Sequence, residues 1–123
     1  MILVDTDVLI EILDKRSEKG DEALSRIEES GEEVAVSALT MHEALYGVRK
    51  YGKTSTDRIQ LLEVIPFGRA EAVLSSEIEL RCEMKGRKIP RVDSMIAATA
   101  MSSGAKLFTY DRHFEDIEGL ALF

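Results

Sequence analysis

The sequence predicts an α/β domain of three layers, α/β/α, around a central, mainly parallel five-stranded sheet. Two observations carry this. Short apolar runs near residues 2 to 4, 33 to 36, 63 to 66, 106 to 109 and 120 to 122 read as strands, and helical patterns fill the intervals between them. Alternation at this density, without linker or repeat, implies a parallel sheet covered on both faces.

The elements follow in order. Ile2-Leu3-Val4 is a buried strand closing at Asp5, and Thr6-Asp7 opens a helix running to Leu13. Lys19 to Ser30 forms a second helix, with Gly31 as its C-cap. Ser37 is placed to N-cap a third, with Ala38, Met41, Leu45 and Val48 on its buried face. Gly68 to Lys85 is the longest helix; it carries the apolar residues Val73, Ile78, Leu80 and Met84 and ends at Gly86. Pro90 blocks continuation, and Asp93 to Ser102 restarts as a helix that is apolar nearly all round, as buried helices are. Gly104 stops it before Lys106-Leu107-Phe108-Thr109-Tyr110, which leads to Asp111.

At 123 residues the chain is one domain. No apolar run approaches the ~20 residues that span a bilayer. Met1 to Asp5 lacks the basic n-region and cleavage site of a signal peptide, so a cytoplasmic protein with no membrane partner is expected. The lone Cys82 has no Cys or His spaced with it for zinc and is expected to pack as a small apolar residue.

A net charge of −7 argues against a polyanionic partner, but the charge is uneven. Acids dominate residues 11 to 33, whereas Arg81, Lys85, Arg87, Lys88 and Arg91 face Glu83 alone, and a lesser basic stretch holds Arg49, Lys50, Lys53 and Arg58. Basic clusters on an acidic chain can hold a phosphate backbone locally; solvated helix ends are the plainer reading. The run Lys85, Arg87, Lys88 and Arg91 immediately precedes Asp93, which makes it the candidate track for a nucleic-acid strand.

Four carboxylates carry the chemistry. In an open parallel sheet, functional groups collect beyond the carboxyl ends of the strands. A central first strand brings Asp5 and Asp111 together from neighbouring strands, while Asp93 and Glu43, near the starts of their helices, can face the same pocket. Clustered acids stay ionised only beside a cation, and oxygen donors without thiols suit Mg²⁺ or Mn²⁺. Each Asp alone also reads as a helix cap or an Asx turn, whereas Glu43, set among Ala38, Leu39, Met41, Ala44 and Leu45, is harder to explain that way. His42 and His113 read as structural.

In order along the chain, Val4-Asp5-Thr6-Asp7-Val8-Leu9-Ile10, Ser37 to Gly47, Ile89 to Ala100 and Thr109-Tyr110-Asp111-Arg112-His113-Phe114 resemble the motifs of PIN-domain ribonucleases, above all the VapC toxins of prokaryotic toxin–antitoxin pairs. The resemblance covers essentially the whole chain. It implies a PIN-like fold and a Mg²⁺- or Mn²⁺-dependent endoribonuclease in which Asp5, Glu43, Asp93 and Asp111 match the acidic quartet, while Thr6, Ser37 and Thr109 match the small hydroxyl positions. Asp5 and Asp93 would be the most direct ligands, with Glu43 and Asp111 acting directly or through water. A homodimer, an RNA substrate and a small antitoxin that blocks the site are also implied. Asp7 departs from the family's more usual Asn or Ser. Two other classes are weighed: an inactive binding module of the same fold, and a phosphatase forming an aspartyl-phosphate on Asp5, which Val8 and Leu9 disfavour because Gly and Thr usually follow that Asp pair.

Overall fold

The computed structural model describes residues 1–52 and 56–123. Its elements in chain order are β1 (Ile2–Val4), α1 (Thr6–Leu13), α2 (Glu18–Ser30), β2 (Val34–Ser37), α3 (Ala38–Tyr51), α4 (Asp57–Gln60), β3 (Val64–Ile65), α5 (Arg69–Met84), α6 (Arg91–Ser103) and β4 (Lys106–Phe108), followed by a 3₁₀ turn at Arg112–Asp116. Lys53 of the lesser basic stretch lies outside the described residues.

The sheet has four strands in the order β3-β2-β1-β4, and all pairings are parallel. The expected fifth strand near 120 to 122 reduces to a single parallel bridge between Leu107 and Leu122. Two hydrogen bonds hold it, from Leu107 N–H to Ala121 and from Phe123 N–H to Leu107. The reason is local: Leu120 is turned back onto Ile117, Gly119 takes φ +84°, and the chain meets β4 too late to pair beyond one residue.

Side-chain alternation along the strands divides the core in two. Leu3, Ala35 and Leu107 face α5 and α6, packing on Ile78, Ile96, Ala97, Ala98 and Ala100. Ile2, Val4, Val36 and Phe108 face the other way, onto Val8, Leu9, Ala23, Ile27, Ala44 and Ile59. The three layers are therefore as expected, with β1 in the middle of the sheet.

Helix ends follow their capping chemistry. Ser17 Oγ accepts from Gly20 N–H at 3.0 Å, Ser37 Oγ accepts from Thr40 N–H at 3.0 Å, and Gly31, Gly52 and Gly104 close helices in the left-handed region. Pro90 N-caps α6 itself, so that helix begins two residues before Asp93 and places the acid in its first turn. The short α4 has no counterpart among the expected elements. Of the apolar residues expected on the longest helix, only Ile78 is buried; Val73, Leu80 and Met84 are 57%, 56% and 79% exposed.

The joint between α1 and α2 depends on a missing side chain. A Cβ on Gly20 would lie 2.0 Å from the carbonyl oxygen of Glu11, a backbone atom that cannot swing aside. On Gly47, also helical, a Cβ meets nothing within 4 Å. Gly47→Ala should therefore gain about 0.5–1 kcal/mol from helix propensity. Gly20→Ala should lose roughly 1–3 kcal/mol because the helices must part. Urea unfolding followed by circular dichroism checks the opposite signs, and equal midpoints for the two variants would refute the close approach.

Candidate metal centre

The carboxyl ends of β1 and β4 and the N-termini of α1 and α6 meet at one end of the sheet. Asp5 is the residue on which they converge. It ends β1 and N-caps α1, with Oδ1 accepting from Thr6 N–H at 2.8 Å and Oδ2 accepting from the Thr109 hydroxyl at 2.7 Å. The same Thr109 hydroxyl oxygen accepts from Asp111 N–H at 3.0 Å, which joins the strand ends of β1 and β4. Thr6 donates its hydroxyl to Glu43 Oε1 at 2.8 Å. That hydroxyl has one proton to give, so its 3.3 Å contact with Thr40 has Thr40 donating. Glu43 is thus tied from α3 to the residue next to Asp5, on the exposed side of the site.

Asp93 and Asp111 approach from α6 and from the turn after β4. One donor atom each from Asp93, Asp111 and His113 lies within 4.8 Å of the others. His113 Nε2 contacts Asp93 Oδ2, and His113 Nδ1 lies 2.9 Å from Asp111 Oδ1. Asp5 stands outside that trio but within reach of its field, since the Asp93 charge acts upon it.

Electrostatics set Asp5 apart. Burial pushes its carboxyl up from 3.8 to about 6, against the bond from Thr109, and the charges of Asp7 and Asp93 push the same way. Asp7 is likewise raised, chiefly by burial. Hydroxyl and amide donors and other carboxylates surround Asp5, an arrangement that a divalent cation would complete. The donor set of carboxylates, hydroxyls and one imidazole fits a hard or borderline ion such as Mg²⁺ or Mn²⁺, and the buried Cys82 lies elsewhere in the core.

Each sequence-derived residue has a definite place. Asp5, Asp93 and Asp111 gather at one end of the sheet, and Glu43 joins them through Thr6. Thr109 bonds Asp5 directly, whereas Ser37 is fully buried and acts as the cap of α3. The cap and Asx readings hold for Asp5 and Asp111 alongside this placement, for Asp111 Oδ1 accepts from His113 N–H at 3.3 Å as it opens the 3₁₀ turn. The proposed track residues Lys85, Arg87, Lys88 and Arg91 are exposed near the start of α6. Three are ion-paired: Arg87 with Asp116 at 2.8 Å, Arg91 with Glu79 at 3.0 Å, and Lys85 with Glu118 at 4.0 Å.

Two residues at the site escape sequence reasoning. Asp7 Oδ2 accepts from Tyr110 N–H at 3.1 Å and Oδ1 from Val8 N–H at 2.7 Å, so it pins the segment between Thr109 and Asp111. His113, structural on sequence grounds, stands between two of the acids; the available signal is its place two positions after Asp111, where an Asx-capped turn folds the ring back over the acid.

A parallel α/β domain with an acidic centre at the strand ends is the class that fold and site define. The PIN domain family model matches residues 2–120, and the chain belongs to that family. No curated protein sequence matches it. Among solved structures it resembles VapBC2 from Rickettsia felis bound to a promoter DNA fragment, at 25% identity and TM-score 0.80, covering 100% of this chain and 98% of that one. FitAB bound to the IR36 DNA fragment gives 25% identity and TM-score 0.83, with 100% and 94% coverage. A toxin–antitoxin complex from Klebsiella pneumoniae gives 28% identity and TM-score 0.76, with 98% and 96% coverage. The chain is thus similar to the VapC toxins of VapBC pairs.

The buried Asp5 has a consequence for the metal-free protein. Its folded pKa lies above the unfolded value, so its contribution is fully present below pH ~4 and is lost as pH rises through about 6. The loss is of order 2–3 kcal/mol at 1.36 kcal/mol per unit. In chelator, Asp5→Asn should unfold at the same or higher denaturant concentration than the parent at pH 7, and its advantage should fade toward pH 4. A variant that is less stable at pH 7 than at pH 4, relative to the parent, would contradict the burial cost.

Proposed function

We propose that this chain is a Mg²⁺- or Mn²⁺-dependent endoribonuclease and the toxin of a toxin–antitoxin pair. The observation that carries the reading is the convergence of Asp5, Asp93 and Asp111 at the strand ends, with Glu43 tied to the same junction through Thr6. Asp5 and Asp93 would hold the ion directly, and Glu43 and Asp111 directly or through water. A divalent ion bound there lowers the pKa of water and offsets charge on a scissile phosphodiester.

The protein groups have separate tasks. Thr109 and the Thr6 amide orient the two Asp5 oxygens, and the Thr6 hydroxyl holds Glu43 at the same junction. Asp7 holds the Tyr110 backbone, so the Asp111 carboxylate cannot drift from the strand end. Lys85, Arg87 and Lys88 precede α6 and Arg91 begins it; together they would hold RNA phosphates, the three paired ones by exchanging their acidic partners. Such exposed pairs cost little to exchange.

Cleavage of RNA by the purified chain in Mg²⁺ or Mn²⁺, stopped by chelator, tests the reading. Asp5→Asn, Glu43→Gln and Asp93→Asn should each lower the rate by about two orders of magnitude or more while keeping the fold, the scale of losing one charge-stabilising group. In the same preparation, joint replacement of Lys85, Arg87 and Lys88 by Ala should weaken RNA binding and lower the salt slope by ~0.7 for each phosphate no longer neutralised. Wild-type cleavage by Asp93→Asn in Mn²⁺ would remove the site assignment.

Partner binding has its own surface. A groove of about 800 Å³ between α1 and α3 is lined by Ile10, Leu13, Ala44, Gly47, Val48 and Tyr51 together with the charged Asp14, Lys15 and Arg16, and Ile10 is 53% exposed. An antitoxin segment with apolar anchors would lie there, and an Arg or Lys further along the same segment would enter the acidic site. The exposed stripe of Val73, Leu80 and Met84 on α5 is where a second copy would pack to form the homodimer, a state that sedimentation mass reads directly. Expression of the chain alone should arrest growth, and a small protein encoded beside it should restore it. Ile10→Asp should stay toxic in that partner's presence; undiminished rescue would move the antitoxin off this groove.

A further inference from the structure

The turn after β4 is braced more firmly than the placing of one carboxylate requires, and what it presents is an imidazole. Asp111 Oδ1 accepts from the backbone N–H of His113 at 3.3 Å and lies 2.9 Å from Nδ1 of the same residue. The turn thus lays Nδ1 against the Asp111 carboxylate. Nε2 meets Asp93 Oδ2 through an N–H in the metal-free protein, and an ion held by both atoms would displace that proton. Behind the ring stands Phe114, 1% exposed, with the two ring centres 5.4 Å apart. Beyond it Arg87 fixes Asp116, the last residue of the turn, at 2.8 Å. Ring orientation is therefore set from both ends of the turn.

A metal-binding histidine is built in this way: one nitrogen faces the ion, and the other donates to a carboxylate that fixes tautomer and tilt. We infer that His113 Nε2 is a ligand of the metal centre, converging with Asp93 on one ion, and that Asp111 serves it chiefly as a positioning residue. This rests on the metal-dependent reading above and refines it. A nitrogen donor alters which ion the site prefers. Mg²⁺ favours oxygen donors and retained water, whereas Mn²⁺ and later first-row ions accept imidazole more readily. The chain should therefore discriminate in favour of Mn²⁺.

Pulsed EPR of Mn²⁺ bound to the full chain reads the ligand directly. A directly coordinated ¹⁴N signal is expected in the wild type. It should vanish in His113→Gln and persist in His42→Gln, where the replaced histidine lies exposed on α3. Calorimetry should show Mn²⁺ affinity falling at least the roughly 10–100-fold that losing even an outer-shell partner costs. Mg²⁺ affinity should change much less. Mn²⁺ that binds, is lost in Asp93→Asn and shows no nitrogen coupling would overturn this inference while leaving the metal-dependent reading intact. Absence of Mn²⁺ binding, or binding indifferent to Asp93→Asn, would overturn both.

Discussion

Parallel strand direction is the constraint on which the rest depends. With β1 between β2 and β4 and every pairing parallel, each strand ends on the same side, and each following helix begins there. Residues separated by most of the chain are thereby delivered to one junction: Thr109 reaches back across 104 positions to bond Asp5. The junction is stable only because backbone amides and hydroxyls have been turned toward a buried carboxylate. Their bonds offset part of the desolvation cost, and neighbouring acids add to the remainder. A site of this kind is a standing electrostatic deficit held by a sheet rigid enough to bear it.

Much of this is legible in the residues alone, and the boundary is physical. Asp5, Asp93 and Asp111 follow apolar runs or breaks whose periods are unambiguous, so their convergence follows from topology. The fifth strand fails because a run of apolar residues says nothing about how many hydrogen bonds its partner can still offer; β4 has three residues, and Leu107 is the one that pairs its backbone with the terminal segment. That Val73, Leu80 and Met84 lie exposed while Ile78 is buried could not be read from the helix for a related reason. Helical spacing identifies a face but not whether anything covers it. His113 escapes because its placement depends on a turn closed by a side chain, and period reasoning does not see side chains closing turns. Asp7 stands out in the sequence only as an unusual choice, whereas its structural task, holding Tyr110, needs a contact across more than a hundred residues.

Charge and shape are also distributed unevenly. The acidic excess of the first helices lies away from the basic loop at the start of α6, and that loop keeps its cations in exposed pairs with Glu79, Asp116 and Glu118. Exposed pairs of this sort contribute little to stability and are weakened by salt. What they fix is position: Arg87 and Lys85 are tied to the turn after β4 and the segment following it, and Arg91 to α5.

The small residues of α6 have a further consequence, in terms of thermal noise. Ala97, Ala98 and Ala100 lie against the sheet with essentially no exposure, and none has a side-chain rotamer to populate. At these three positions the helix is seated by backbone and methyl contacts, beside the larger buried Ile96. Larger side chains at these positions would have let it rock among alternative packings, carrying Asp93 with it. As built, these alanines add no rotamer freedom of their own beneath the first turn, and the Asp93 carboxylate there is steadied by its contact with His113.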